Sequence, residues 1–151
     1  MTYTSFVDVL LIATRGDEIL LARRANTGYS DGLWNLPSGK LEPDEDLEAA
    51  MIREAHEEIG IQLSRKDIRM VAALHLRAPD GQGRVGFFFH ADKWIGEPFN
   101  AEPHKCSDLR WFHREEIPAD TVPYTDAGLE LFWRDEHFGL SGWPAPADVD
   151  S

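Results

Sequence analysis

The sequence predicts one α/β domain: a mixed sheet sandwiched between helices. Strand-like apolar runs alternate with two stretches of helical spacing, and strands mixed with helices form layers around one core. At 151 residues the chain has room for one domain with a substantial core and little room for two. Neither an internal repeat nor a Pro/Gly/Ser-rich linker divides it.

FVDVLLIAT (6–14) is dense in β-branched and large apolar residues. RGDE (15–18) reads as a turn and ILLARR (19–24) as a second strand, so the pair predicts a hairpin. ANTGYSDGLWNLPS (25–38) carries the Gly, Ser and Asn of a loop, with aromatics inside it. A helix is expected to open at Asp44 or Glu45 and run to Ile59, where Gly60 stops it. DIRMVAALHLRA (67–78) and RVGFFFHAD (84–92) flank PDGQG as a second hairpin. Residues 93–107 read as a long loop, LRWFHR (109–114) as a short strand and DAGLELFWRDEHF (126–138) as a helix. The domain is expected over 1–143, with a loose Pro- and Asp-rich tail over 144–151.

Composition narrows the function. A formal net charge of -12 argues against a nucleic-acid polymer, which is gripped by Lys and Arg. It leaves room for a small phosphorylated ligand, because a divalent metal inverts local charge. Cys106 is the one cysteine, so no intrachain disulfide framework is possible. FVDVLLIA is too short to cross a membrane, and no secretory leader is evident; the expectation is a cytoplasmic protein without a membrane partner. Six scattered histidines show no zinc-ligand spacing.

The stretch that carries chemistry is GKLEPDEDLEAAMIREAHEEIGI (39–61). With Glu54 at zero on a helical wheel, Glu58 falls at about 40° and Glu57 at about -60°. Leu47, Ala50 and Met51 share that arc one or two turns earlier. One helix face therefore begins apolar and ends in three carboxylates, which repel one another and oppose the helix dipole. A solvated acidic helix end is one explanation. A hard divalent cation is the other, because it removes the repulsion.

The same stretch resembles the Nudix box, G-x5-E-x7-R-E-U-x-E-E-x-G-U, in which U is a bulky aliphatic residue. Gly39, Glu45, Arg53, Glu54, Glu57, Glu58, Gly60 and Ile61 match, and Ala55 stands at the first U. A chance match is on the order of one in ten million at ordinary residue usage, which favours the metal explanation. The lead-in LPSGK, with Ser38 where glycine is commoner, and WFHREEIP (111–118) extend the likeness along the chain.

The resemblance implies a Nudix fold and hydrolysis of a nucleoside diphosphate linked to another group, with Mg²⁺ or Mn²⁺ as cofactor. It assigns metal binding to Glu54, Glu57 and Glu58, with the Gly39 carbonyl as a further candidate. Arg53 is expected to orient the glutamates through a salt bridge to Glu45. Lys40 and Arg23 are the expected phosphate contacts, and strand alternation turns Arg24 to the other face. The general base is either a box glutamate or Glu102 in NAEPHKC (100–106).

The flanks bear on the substrate. Tyr29, Asn35 and Asp126 resemble base-contacting positions of the MutT-like branch, which removes oxidised purine triphosphates. Loop packing and a turn amide are the plainer roles for Tyr29 and Asn35. Sheet positions expected to be aromatic there are His75 and Arg77. The favoured substrate is a (d)NTP, with 8-oxo-dGTP a candidate, giving a nucleoside monophosphate and pyrophosphate. The alternatives are ADP-ribose, a dinucleoside polyphosphate, or a non-catalytic nucleotide-sensing module. A monomer and a homodimer fit equally.

Overall fold

The structure, a computed structural model, describes residues 1–145. The expected α/β/α sandwich is present. Strands β1 (Phe6–Arg15), β2 (Glu18–Arg24), β3 (Trp34–Asn35) and β4 (Ser38–Lys40) precede helix α1 (Leu47–Ile59). After it come β5 (Arg69–Arg77), β6 (Gly83–Ala91), β7 (Cys106–His113), helix α2 (Pro123–Trp133) and β8 (Phe138–Ser141). The sheet order is β3-β2-β1-β6-β5-β8, with β4 paired to β1 and β7 to β2. β1 runs parallel to β6, and β5 runs parallel to β8; the other pairings are antiparallel.

β1 explains its own composition. It is covered on both faces, so it reads as a continuous apolar run rather than an alternating one. Val9, Leu11 and Ala13 pack with Ala50, Met51, Ala55 and Ile59 of α1. Leu10 and Ile12 pack on the opposite face with Leu129 and Leu131 of α2, and with Phe88.

Helix α1 starts two to three residues later than the sequence predicts. Asp46 is its N-cap, accepting the Ala49 N–H at 2.9 Å, while Asp44 sits in a left-handed conformation that keeps it outside the helix. Gly60 ends it with φ +70°, its N–H bonded to the His56 carbonyl.

Two expectations are corrected. The loop 25–38 contains β3 and the start of β4, two pairings too short to leave a periodic signature. The second helix is displaced. Pro123 opens it, using proline's preset φ at the first helical position, and Arg134 caps it. Asp135 then turns through positive φ, and Phe138 belongs to β8. Trp143 stands at the expected end of the domain. Its indole N–H donates to the His75 carbonyl at 2.9 Å, pinning the end of β8 to β5. Residues 146–151 of the expected tail lie outside the described residues.

Candidate active site

A cleft of about 860 Å³ opens beside α1 and reaches round the β3–β4 edge to the start of α2. Gly39, Lys40, Glu54, Glu57, Glu58 and Glu102 line it, together with Arg23, Tyr29 and Asn35. The cleft therefore gathers the whole expected set except Asp126. That residue is exposed on the first turn of α2 and does not line the cleft, whereas its neighbours Val122 and Tyr124 do.

The acids are brought together by two devices. Helical spacing puts Glu54, Glu57 and Glu58 on one side of α1. The loop after β6 then supplies the fourth: Phe99 and Ala101 donate their N–H groups to the Ile59 and Glu58 carbonyls, at 3.0 and 3.1 Å. These are carbonyls that every helix C-terminus leaves unsatisfied. Asn100 fixes the turn, donating to the Cys106 carbonyl at 2.7 Å and accepting the Glu102 N–H at 3.2 Å. Glu102 consequently stands close enough to raise the carboxyls of both Glu54 and Glu58.

Glu58 bears the greatest electrostatic strain. The residue keeps some accessible surface, but its carboxyl is crowded by protein on nearly every side. Desolvation, followed by the charges of Glu54 and Glu102, pushes it up to about 8; the Ser38 N–H, donating at 3.0 Å, offsets part of that. Glu54 is raised in the same direction, chiefly by desolvation, with Arg53 acting against the shift.

Arg53 sits at the centre. It donates to Glu45 at 2.7 and 2.9 Å, to Glu54 at 2.8 Å and to Glu57 at 3.3 Å. It also reaches the Lys40 carbonyl at 3.2 Å, tying the box loop to the helix. The glutamates thus stand in a hydrogen-bonded arrangement around a guanidinium. Among the described residues no group of three acidic, histidine or cysteine side chains is arranged to enclose an ion. The donor set nonetheless suits Mg²⁺: every candidate is a hard oxygen, and the crowded, desolvated Glu58 carboxyl is only partly offset by the Ser38 N–H and the Arg24 charge. Gly39 leaves room for this set, since a Cβ there would run into the Glu54 carboxylate.

Arg24 departs from expectation. The β2–β7 register shifts at the end of β2, with Ser107 the extra residue on β7, and both arginines line the cleft. Arg23 donates to the Gly32 carbonyl at 3.0 Å. Arg24 donates to the Tyr29 carbonyl at 2.8 Å and is the arginine whose charge opposes the rise of Glu58. Lys40 projects its ammonium 4.4 Å from the Phe6 ring centre.

Asn35 is buried. Its amide oxygen accepts the Leu36 N–H at 2.9 Å and the Thr125 hydroxyl, which fixes the amide orientation. Toward the cleft it can only donate. Tyr29 is 61% exposed beside the Arg24 guanidinium.

Among the lining residues that escaped the sequence reading are three bonded to one another: Asp8, Arg84 and Tyr124. Asp8 Oδ2 accepts from Arg84 Nε at 2.6 Å and from the Tyr124 hydroxyl at 3.3 Å, and Oδ1 accepts from Arg84 Nη2 at 3.2 Å. A signal existed. Asp8 is the one charge inside FVDVLLIA, and a carboxylate on a doubly covered strand needs a partner.

Comparison with known proteins agrees with this geometry. The NUDIX domain model matches residues 3–131. A CTP pyrophosphohydrolase of Escherichia coli (strain K12) is 32% identical over 131 residues, covering 82% of this chain and 90% of that protein. An NAD-capped RNA hydrolase NudC of Stutzerimonas stutzeri is 31% identical over 111 residues. That match covers 74% of this chain but only 37% of the NudC length. Among solved structures, a MutT NUDIX hydrolase from Burkholderia pseudomallei superimposes with a TM-score of 0.77 at 30% identity, covering 84% of this chain and 97% of that one.

Proposed function

Because the chain belongs to the NUDIX domain family, we propose that it is a metal-dependent pyrophosphohydrolase that converts a nucleoside triphosphate to the monophosphate and pyrophosphate. The observation that carries this reading is the convergence of Glu54, Glu57, Glu58 and Glu102 on one cleft that also holds Lys40, Arg23 and Arg24. Carboxylates alone would repel a polyphosphate. Carboxylates beside three cations suit a phosphate bound through a metal.

Glu54, Glu57, Glu58 and the Gly39 carbonyl would hold Mg²⁺, which when bound neutralises phosphate charge and makes water a better nucleophile. Lys40 and the two arginines steady the remaining phosphate oxygens. Arg53 is a positioning residue: it holds Glu54 and Glu57 on one side and Glu45 on the other. Glu102, facing the same cleft, is the proposed acceptor for the proton of an attacking water.

A triphosphate is preferred over an RNA cap for two reasons. A CTP pyrophosphohydrolase is matched over 90% of its length, against 37% for the NudC of Stutzerimonas stutzeri. The net charge of -12 also disfavours a polyanion. The test is kcat/KM with Mg²⁺ across canonical (d)NTPs, 8-oxo-dGTP, ADP-ribose, NADH and dinucleoside polyphosphates. Pyrophosphate release from triphosphates is expected. Turnover confined to NADH or ADP-ribose, or equal phosphate release by a Glu57→Gln variant, would sink the assignment.

A further inference from the structure

The cleft has a second charged centre, on the other face of the sheet from the glutamates. Asp8 has the strand parity of Leu10 and Ile12, which pack toward α2, whereas Gly39 meets Glu54 on the α1 side. Arg84 and Gly86 lie on β6 with the parity of Phe88, also on the α2 side. Tyr124 reaches this centre from the first turn of α2. Gly86 makes the approach possible, because a Cβ there would collide with the Tyr124 hydroxyl.

Asp8 is only 9% exposed and holds Arg84 along one edge, through Nε and Nη2. Tyr124 donates to the same carboxylate, so the Asp8 charge is shared by two fixed donors. The Phe6 ring centre lies 4.7 Å from the guanidinium carbon. Among the described residues Arg84 makes no other side-chain hydrogen bond. Its outer edge, Nη1 and Nη2, is therefore left with two parallel N–H donors in a plane set by the clamp. Asn35, lining the same cleft, has its oxygen occupied and gives one N–H to the Ser38 hydroxyl at 3.3 Å, which leaves its second N–H as a further donor.

We propose that Arg84, clamped by Asp8 and Tyr124, reads the nucleobase and selects bases that present two adjacent acceptors. Cytosine offers O2 and N3, and guanine offers O6 and N7. Adenine places an amino donor beside its acceptors, and uracil places N3–H between its two oxygens, so neither matches the fork. 8-Oxoguanine carries a hydrogen on N7 and loses that acceptor pair. The inference rests on the nucleotide reading above and adds the base class to it. Asp8 and Tyr124 are positioning residues, acting through Arg84.

The experiment is calorimetric binding of α,β-methylene analogues of CTP, GTP, ATP, UTP and 8-oxo-GTP with Mg²⁺, to the wild type and to Arg84→Gln. The cytosine or guanine analogue should bind roughly 10–100-fold tighter than the adenine and uracil ones. The ratio should fall to near one in Arg84→Gln. The cytosine and guanine arms show which acceptor pair is used. Arg84→Gln leaves Asp8 unpaired, so the double variant Asp8→Asn/Arg84→Gln, verified by thermal melting, provides a folded comparison. Asp8→Asn keeps the guanidinium but loosens it, and should reduce the ratio while inorganic pyrophosphate still binds. Equal binding of all analogues, no binding of any, or a preference that survives Arg84→Gln would overturn the inference. Base-selective binding without release of pyrophosphate from any triphosphate would instead remove the proposed reaction and leave the Arg84 fork standing.

Discussion

The two ends of the cleft are built in opposite ways. The acidic end takes three of its carboxylates from one helix turn, with Arg53 one position before the first. The Asp8–Arg84–Tyr124 end draws single residues from β1, β6 and α2, separated by 76 and 116 positions from Asp8. At the acidic end charge is left over, and Glu58 is raised to about 8. At the other end charge is cancelled, with Asp8 bonded by two partners. An end with surplus negative charge is suited to a cation. An end whose carboxylate is already shared by two fixed donors is suited to reading shape and hydrogen-bond pattern.

The largest expected effect breaks the acidic end alone. Glu57→Gln should lower kcat by roughly 10²–10³-fold, the scale for removing one electrostatic stabiliser of a transition state, with the melting temperature little changed. Retained turnover would mean that the surplus charge serves no catalytic purpose. Arg53→Lys should cost about 10–100-fold, because an ammonium cannot replace a guanidinium shared by Glu45, Glu54 and Glu57. Metal titrations should show weaker Mg²⁺ binding in that variant.

A pH experiment sharpens the contrast. Glu58 titrates near 8 in the folded metal-free protein, against 4.5 as a free side chain. Between those values the folded state holds a proton that the unfolded state has released. Its contribution to stability is therefore full below 4.5 and is lost as pH rises toward 8. Melting curves in EDTA should show that decline, Glu58→Gln should flatten it, and Mg²⁺ should raise the melting temperature more at pH 8 than at pH 5. A decline unchanged in Glu58→Gln would assign it elsewhere.

The smallest effects belong to the Asp8–Arg84–Tyr124 end and the rim. Asp8→Ala should destabilise by about 2 kcal/mol, below the range for fully buried pairs because Arg84 is a quarter exposed. Tyr29→Ala should change stability by no more than about 0.5 kcal/mol, since the ring is largely solvated. A drop in nucleotide affinity in that variant would make Tyr29 a stacking surface.

Much of this was legible in the chain. The hairpins, the α1 face, the Gly60 stop and the acidic cluster depend on neighbours within a few residues, where periodicity and capping operate. Arg53 and Glu45 are also near in sequence, and they pair at 2.7 Å. The displaced second helix shows the limit. Leu129, Phe132 and Trp133 set its period, but Pro123 and the positive φ of Asp135 set its ends.

By itself the sequence determined the layered fold and the carboxylate-bearing helix, because both follow from 2.0- and 3.6-residue periods along a continuous stretch. Only the tertiary structure decided that Arg24 joins Arg23 in the cleft, since at the end of β2 its guanidinium is held by the Tyr29 carbonyl and the Thr27 hydroxyl of the following loop. It alone placed Glu102 beside α1, through carbonyls that the helix could not satisfy internally. It alone joined Asp8 to Arg84 and Tyr124. A lone charge in an apolar strand announces that it needs a partner, but which partner depends on the strand and helix that the fold lays beside it.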